Sequence, residues 1–152
     1  MDVMCNDQFN AKWMYLSSYA QHKMRLCRLL QQREEYSVLR GKANNLGTTV
    51  TRGQTSDETG EMASALLDSI DRINYKIAEC YRVLAEIIGY IEHAQLTEKE
   101  KLILTSRFVA QMSSEQIAQE IGEAYRGRAA MRKRIRRIVD KLPDRAIKKD
   151  HP

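Results

Sequence analysis

A long run of branched apolar residues in the middle of the chain most constrains its fold. Eight apolar residues recur there at alternating spacings of four and three: Leu66, Ile70, Ile73, Ile77, Cys80, Leu84, Ile87 and Ile91. This spacing places them on one face of a helix for more than three heptads. Leu67, Tyr81 and Ile88 widen that face, which favours an antiparallel pair or a bundle over a strict two-stranded zipper. We therefore predict a long helix that begins at about Glu61.

A second stretch near the start of the chain shows a similar periodicity. The residues at helical spacing are Phe9, Trp13, Leu16, Ala20, Met24, Cys27 and Leu30. They predict one helix from about Gln8 to Arg40, and each long helix would span about 33 residues or ~50 Å. Matched lengths indicate that the two helices pack together in a coiled-coil-like antiparallel pair. The sequence leaves open whether they pair within one chain or between two subunits of a homodimer.

The segment between these helices has a different composition. Gly41–Gly60 contains four glycines, many Ser, Thr and Asn residues and few large apolar ones. Such a composition offers little apolar burial to offset the entropy of ordering, so we predict a flexible linker over residues 41–60. Only 2 Pro and 7 Gly occur in the 152 residues, and no strand pattern is found, so the fold class is all-α. The predicted organisation is a helical hairpin over residues 1–93, a second module over 94–143 and a basic tail over 144–152.

The second module begins with two capping boxes. Thr97 is followed three residues later by Glu100, and Ser113 by Gln116, so each pair predicts a helix start at which side chains satisfy the free amides. The first of these helices should end near Ala110. Gly122 comes directly after Ile121, where a left-handed residue would end the second helix.

A third helix is predicted over about residues 125–142, before Pro143. Its apolar residues Met131, Ile135, Ile138 and Leu142 form one stripe, and basic residues surround that stripe. Short helix, glycine turn and basic helix is the order of a helix-turn-helix. The residues predicted to pack its turn are Ile117, Ala118, Ile121, Gly122, Met131 and Ile135.

Charge is concentrated at the same end of the chain. Residues 126–152 have 11 basic and 3 acidic residues, a net charge of +8, whereas residues 1–125 have 14 and 17, a net charge of −3. A basic end on a slightly acidic body is typical of a nucleic-acid-binding protein, although a solvated basic tail would give the same balance. The residues predicted to contact DNA are Tyr125, Arg126, Arg128, Ala129, Ala130, Arg132, Lys133, Arg136 and Arg137. The two alanines would let the helix lie deep in a major groove, and the basic residues would reach guanine edges or phosphates.

Residues 96–142 resemble region four of bacterial sigma factors. The resemblance rests on Leu96–Glu100, on Arg107 and Phe108, on Met112–Gly122 and on Met131–Ile135. The layout of the whole chain is also similar to that of small phage- and prophage-encoded sigma-like regulators. The resemblance implies a helix-turn-helix that reads promoter DNA, with RNA polymerase as a further partner. Three departures concern the third helix: Arg128 stands where the family has a branched apolar residue, Gly127 lies inside the predicted helix, and Glu123–Tyr125 lacks the usual Ser or Thr cap.

Other classes of function find little support. No nucleophile, phosphate-loop or dinucleotide motif occurs, so we expect no enzyme and no cofactor. His22, His93 and His151 are far apart and no CxxC occurs, so we expect no metal site. No apolar run approaches a membrane span and no export signal is evident. With Cys5, Cys27 and Cys80 interpreted as reduced thiols, this predicts a cytoplasmic protein with no membrane partner, and the resemblance implies that the cytoplasm is that of a bacterial host.

The sequence thus predicts a sequence-specific transcriptional regulator of phage type that binds double-stranded DNA. Two alternatives remain at this point. One is a helical protein-interaction factor, such as a phage assembly or host-inhibitory protein. The other is a small DNA-packaging subunit.

Overall fold

The computed structural model describes residues 2–49 and 55–146, and these residues form helices and turns without a strand. The two long helices are α1, Asp2–Thr49, and α2, Thr55–Glu92. Three shorter helices follow: α3, Glu98–Leu104, α4, Ser114–Glu120, and α5, Gly127–Asp140. The all-α class and the order of a long helical pair followed by short helices are confirmed. No helix in the described part is both long and apolar enough to cross a membrane.

Both long helices extend into the segment predicted to be a linker. Residues 41–49 belong to α1 and residues 55–60 to α2, so the prediction of a flexible linker is wrong for these stretches. Ala43 shows why, because it is 3% exposed and so contributes to the buried face of α1. Packing of a helical face can outweigh the low helix propensity of Ser, Thr, Asn and Gly. The remaining residues of the predicted linker, 50–54, lie outside the described residues.

The chain divides into two compact units. One unit comprises residues 1–22 and 84–152, and the other comprises residues 23–83. This division differs from the predicted one, because the beginning of α1 and the end of α2 group with the C-terminal module. The predicted tail also begins differently, since Asp144 and Arg145 make defined contacts with α1. Residues 147–152 lie outside the described residues.

In the unit of residues 23–83, α1 and α2 pack against each other within one chain. The α2 seam is buried as predicted at Ile70, Ile73, Ile77 and Cys80, and Leu66 is half-buried. Arg33 Nη1 donates to Asn74 Oδ1 at 3.2 Å across the pair. Leu67 and Tyr81 are exposed, as is Ile88 in the other unit, so the prediction that they widen the buried face is wrong.

The buried face of α1 differs from the predicted one beyond Tyr19. Met24 is 60% exposed and Cys27 is exposed, whereas Leu26 and Leu29 are buried. The same face of α1, followed at heptad spacing from Leu26 and Leu29, also includes four half-buried residues that are polar or aromatic. They are His22, Arg33, Tyr36 and Arg40. Long side chains of this kind can cover apolar surface with their stems while their polar ends reach solvent.

The core of the unit of residues 1–22 and 84–152 is formed by the short helices together with the beginning of α1 and the end of α2. Its most deeply buried side chains are Leu16, Ile87, Ile91, Ile103, Leu104, Ile117, Ile135, Ile138 and Val139. Both predicted capping boxes are present: Thr97 and Glu100 exchange hydrogen bonds, as do Ser113 and Gln116. The helix after the first box continues beyond α3 as a wider π-helical turn, Thr105–Val109, and Ala110 N–H closes it on Thr105 O at 3.0 Å. This agrees with the end predicted near Ala110.

Candidate nucleic-acid interface

The connection between α4 and α5 contains two left-handed glycines. Gly122 has φ +75° and Gly127 has φ +83°. The amide of Glu123 donates to Ala118 O at 2.8 Å, which closes the end of α4 around Gly122. Glycine is favoured at both positions because a Cβ is strained at positive φ. The chain therefore reverses between the two helices where the sequence predicted the turn.

Of the six residues predicted to pack this turn, four are buried, Ile121 is half-buried and Gly122 is exposed. Ile117, Ala118, Met131 and Ile135 are each at most 3% exposed. The small side chain of Ala118 lies where α4 meets α5, and these two helices are in contact with each other. The remaining stripe residues Ile138 and Leu142 are also buried, so the inner face of α5 is the predicted one.

The predicted third helix begins later than expected. Ala124–Arg126 forms a 3₁₀ turn, and α5 starts only at Gly127. Tyr125 and Arg126 therefore precede the helix, and the prediction that they lie on it is wrong. The cause is Gly127, whose positive φ separates the turn from the helix. The sequence signals for this boundary were the missing Ser or Thr cap and the glycine itself.

All nine residues predicted to contact DNA are exposed. Those on α5 lie on its outer face, opposite the stripe packed against α3 and α4, except Arg128, which is exposed at the start of the helix but lies on the side of that stripe. Lys133 lies near the centre of this face at 100° per residue, with Arg136 and Ala129 on one side and Arg137 on the other. Ala129 and Ala130 are the small residues of this face. A helix with this distribution can approach a polyanion along its whole length.

Glu123 neutralises part of the basic surface, by which we mean the cationic side chains on and around α5. Its carboxylate pairs with Lys99 of α3 at 2.8 Å and with Arg134 of α5. The hydrogen bond from Lys99 and the charges of Arg134 and Lys99 lower the pKa of Glu123 below its usual value, against a smaller opposing effect of burial. The carboxylate is thus ionised near neutral pH and holds α3 and α5 together at the turn. Because Arg134 is paired with Glu123, it is not one of the cations that remain free to bind an external anion.

The other cations around α5 have no ion pair within residues 2–49 and 55–146. They are Arg107, Arg126, Arg128, Arg132, Lys133, Arg136 and Arg137. Arg126 forms no ion pair within these ranges: its Nε donates to the Tyr125 hydroxyl at 3.2 Å, its guanidinium lies over that ring at 5.6 Å, and its charge interacts at longer range with the Glu123 carboxylate. Clustered cations without counter-charges repel one another, so an anion bound to this surface would be stabilised.

Two residues of this surface were missed among the predicted contacts. Arg107 comes from the π-helical turn after α3, and Trp13 comes from α1, yet both line a cleft beside Arg132 and Arg136. Trp13 packs edge-on against Phe108 at 5.0 Å between ring centroids. Arg107 could have been suspected because it is a basic residue beside Phe108, in the same predicted helix as the first capping box. No local signal in the sequence brings Trp13 to α5.

The C-terminal end of α5 is anchored by the segment that follows it. Gln8 in α1 makes two hydrogen bonds with the backbone of Arg145, accepting from its N–H at 3.0 Å and donating to its carbonyl at 3.1 Å. The Arg145 guanidinium lies over the ring of Tyr15 at 3.2 Å from the centroid. The Tyr90 hydroxyl donates to Pro143 O. These contacts fix the chain directly after α5 and therefore restrict how α5 can move.

The described residues contain no group of three or more His, Cys, Asp or Glu side chains that could hold a metal ion. Of the cysteines whose side chains are described, Cys27 is exposed and Cys80 is buried, and both are free thiols. Comparison of the chain with protein-family models, with curated proteins and with solved structures finds no match.

Proposed function

We propose that this chain is a sequence-specific DNA-binding transcriptional regulator that inserts α5 into the major groove. The observation that carries the proposal is the division of α5 into two faces. One face is buried at Met131, Ile135 and Ile138, and the other presents unpaired cations around two alanines. The major groove is about 12 Å wide and admits a helix. A helix of 14 residues is ~21 Å long, which is enough to follow several base pairs.

The roles of the residues follow from their places on α5. Ala129 and Ala130 would allow close approach, and their methyl groups can contact thymine. Lys133 and Arg137 lie on the outermost part of the helix and would reach base edges. Arg128, Arg132 and Arg136 lie on the flank towards Arg107, where they would contact phosphates and set the register. Tyr125 and Arg126 would contact the duplex from the turn before α5.

The wider context of the proposal comes from the resemblance to sigma region four. In that context the protein is a phage-type regulator that works in the bacterial host cytoplasm. RNA polymerase would be its protein partner, and the long helices would contact the polymerase or a second copy of the chain.

The test is duplex binding as a function of salt. A duplex enriched from a random library by repeated mobility-shift selection would be titrated with the full chain over a salt series. The logarithm of the affinity should fall by about 0.9 per tenfold salt for each phosphate contact. Arg126→Ala with Lys133→Ala should lower the affinity at least ~10-fold, because each lost base or phosphate contact costs about 1–3 kcal/mol.

The matched control is Arg25→Ala, which removes an exposed arginine of α1 in the other unit. It should keep the wild-type affinity and salt slope, and circular dichroism should show equal helicity in all variants. Failure to enrich any duplex, or equal binding by the double variant, would refute the proposal.

A second candidate function, a helical protein-interaction factor, is favoured by one observation. In the unit of residues 23–83, several large apolar side chains are exposed, among them Met24 at 60%, Met62 at 53% and Tyr75 at 75%. If this apolar surface is the functional one, Tyr75→Ser should abolish the biological effect of the protein in its host cell. The double variant Arg126→Ala, Lys133→Ala should then keep that effect. The opposite pattern is expected for the DNA-binding function.

A further inference from the structure

The cleft beside α5 is lined by both apolar and cationic side chains. Its volume is about 490 Å³, within the range of small-molecule sites. We call it the Trp13 cleft, and it is lined by Trp13, Arg107, Ser114, Ala129, Arg132, Lys133, Ile135 and Arg136. Trp13, Ala129 and Ile135 supply apolar surface, and four cations supply charge.

The aromatic wall of this cleft is held in place before any ligand arrives. The Trp13 ring stacks with Phe9 at 5.8 Å between centroids and meets Phe108 edge-on at 5.0 Å. Trp13 is half-buried, so part of its indole faces the cleft. A rigid indole at a cleft wall offers a surface for a planar apolar ring at a low entropic cost.

The cationic lining has no internal counter-charge. The guanidinium of Arg107 lies over the ring of Phe108 at 5.6 Å from the centroid, and none of the four cations forms an ion pair within the described residues. A ligand with several negative charges would satisfy them better than a monoanion. Arginines are suited to phosphate oxygens because their planar guanidinium donates two hydrogen bonds at once.

From these two features we propose that the Trp13 cleft binds a nucleotide, with its base against Trp13 and its phosphates at Arg107, Arg132 and Arg136. A nucleotide combines a planar ring with a chain of negative charges, which is the combination that the lining presents. Duplex DNA offers phosphates to the same arginines, but its bases are stacked on one another and present no free ring face. The source of the ligand is therefore a free nucleoside triphosphate or an unpaired nucleotide of a single strand. The inference stands independently of duplex binding.

Trp13 makes the proposal directly measurable, because it is the single tryptophan of the chain. The full chain would be titrated with ATP, adenosine, inorganic tripolyphosphate and a short single-stranded oligo(dA), while tryptophan fluorescence is followed. ATP should quench the fluorescence, and adenosine and tripolyphosphate should each bind at least ~10-fold more weakly, because each makes only half of the contacts. Quenching by oligo(dA) alone would support the single-strand source, and quenching by ATP would support the free nucleotide.

Two variants on α5 test the location of the site. Arg132→Ala should weaken ATP binding about 10-fold through loss of a charge-assisted hydrogen bond. Arg137→Ala is the comparison, because Arg137 does not line the Trp13 cleft but lies on the other flank of α5, in a neighbouring cleft that shares only Ala129 and Lys133 with it. It should leave ATP quenching unchanged while it lowers duplex affinity.

Three results would overturn the proposal. One is the absence of quenching by both ATP and oligo(dA) at millimolar concentration. Another is equal affinity for ATP and tripolyphosphate, which would reduce the cleft to a general anion-binding surface. The third is equal loss of ATP binding in Arg132→Ala and Arg137→Ala. None of these results changes the mobility-shift test of duplex binding, so the two proposals can fail separately.

Discussion

Lys12 in α1 donates from Nζ to the main-chain oxygen of Asp140, the last residue of α5, at 3.1 Å. The side chain of Lys12 is 5% exposed, and the same Nζ lies 3.2 Å from a carboxylate oxygen of Asp144. The last carbonyls of a helix lack partners within the helix and form the negative end of its dipole. A buried ammonium at that point satisfies a carbonyl and fixes the end of the basic helix to α1.

Replacement of this ammonium should destabilise the unit that contains α5. Lys12→Met keeps most of the apolar stem but leaves the Asp140 carbonyl without its partner. A buried polar group that loses its hydrogen bond costs about 1–3 kcal/mol, so we expect a decrease of that size in the free energy of unfolding. Urea unfolding followed by far-ultraviolet circular dichroism measures it.

The matched control for Lys12 is Asp144→Asn. Only the Asp144 side chain of this pair is exposed, at 75%, so solvent screens its charge, and the amide oxygen of asparagine can still accept from the Lys12 ammonium. This variant should therefore be nearly as stable as the wild type. Equal effects of the two substitutions would show that the contact with the Asp140 carbonyl contributes nothing.

Stability should depend on pH through two carboxylates that join the short helices. A hydrogen bond from Lys99 lowers the pKa of Glu123, and one from Lys141 lowers the pKa of Glu100 with help from the Thr97 amide. A carboxyl group whose pKa is lower in the folded state stabilises the fold above its unfolded pKa. That contribution is lost as the pH falls through the lowered value. The urea midpoint should therefore decrease on acidification below the usual value of 4.5.

Removal of both carboxylates tests this pH dependence. The double variant Glu100→Gln, Glu123→Gln should be less stable than the wild type at neutral pH and should lose less stability on acidification. The control Glu34→Gln, Glu35→Gln makes the same change of two in net charge on α1, where both residues are exposed, and should keep the wild-type slope. A double variant that follows the wild-type pH profile would contradict the assigned role of these ion pairs.

The parts of the fold that the sequence predicts best are those set by local interactions. The capping boxes at Thr97 and Ser113 are determined by residues three positions apart, and both are present. The inner stripe of α5 follows from strict spacing of Met131, Ile135 and Ile138 in a helix whose other residues are mostly charged. The α2 seam is equally clear because branched apolar residues fill nearly every inner position.

The parts that were mispredicted depend on distant contacts. On α1, apolar residues such as Met24 face outwards while Arg33 faces α2, so hydropathy alone misplaces the face. Helix α2 supplies enough apolar surface that the alkyl stems of arginine side chains on α1 can complete the contact between the two helices. Burial of Lys12 depends on Asp140, 128 positions later in the chain. The position of Trp13 beside α5 has the same origin and could not be read from the residues around it.

The hydroxyl of Tyr90 should show an altered titration. Burial raises the pKa of Tyr90 to about 12, partly opposed by the charge of Arg145. Because the folded-state pKa exceeds the ordinary value of 10.0, the contribution to stability is present below that value and is lost as the pH rises towards 12. Ultraviolet titration of the wild type should show a late phenol that Tyr90→Phe removes.

The same variant tests the anchoring of the segment after α5. Tyr90→Phe also removes the hydrogen bond to Pro143 O, which should lower the free energy of unfolding by about 1 kcal/mol. Tyr75→Phe is the control, since Tyr75 is 75% exposed. Persistence of the late phenol in Tyr90→Phe would assign the raised pKa to another tyrosine.

The turn between α4 and α5 can be tested at Gly122, where φ is +75° and no atom lies within 4 Å of the position a Cβ would take. Because there is space, Gly122→Ala adds only backbone strain, and a left-handed L-residue costs about 1–2 kcal/mol. We expect a loss of that size in urea unfolding and a weaker affinity for any duplex that the protein binds. Gly122→Asn should lose less stability than Gly122→Ala, since asparagine adopts this conformation more readily.

Gly41→Ala is the matched control and should have an effect of opposite sign. Gly41 lies inside α1 with equally open surroundings, so alanine should stabilise the helix by about 0.5–1 kcal/mol. Equal responses at the two glycines would mean that residue 122 does not hold the left-handed turn on which the placement of α5 depends.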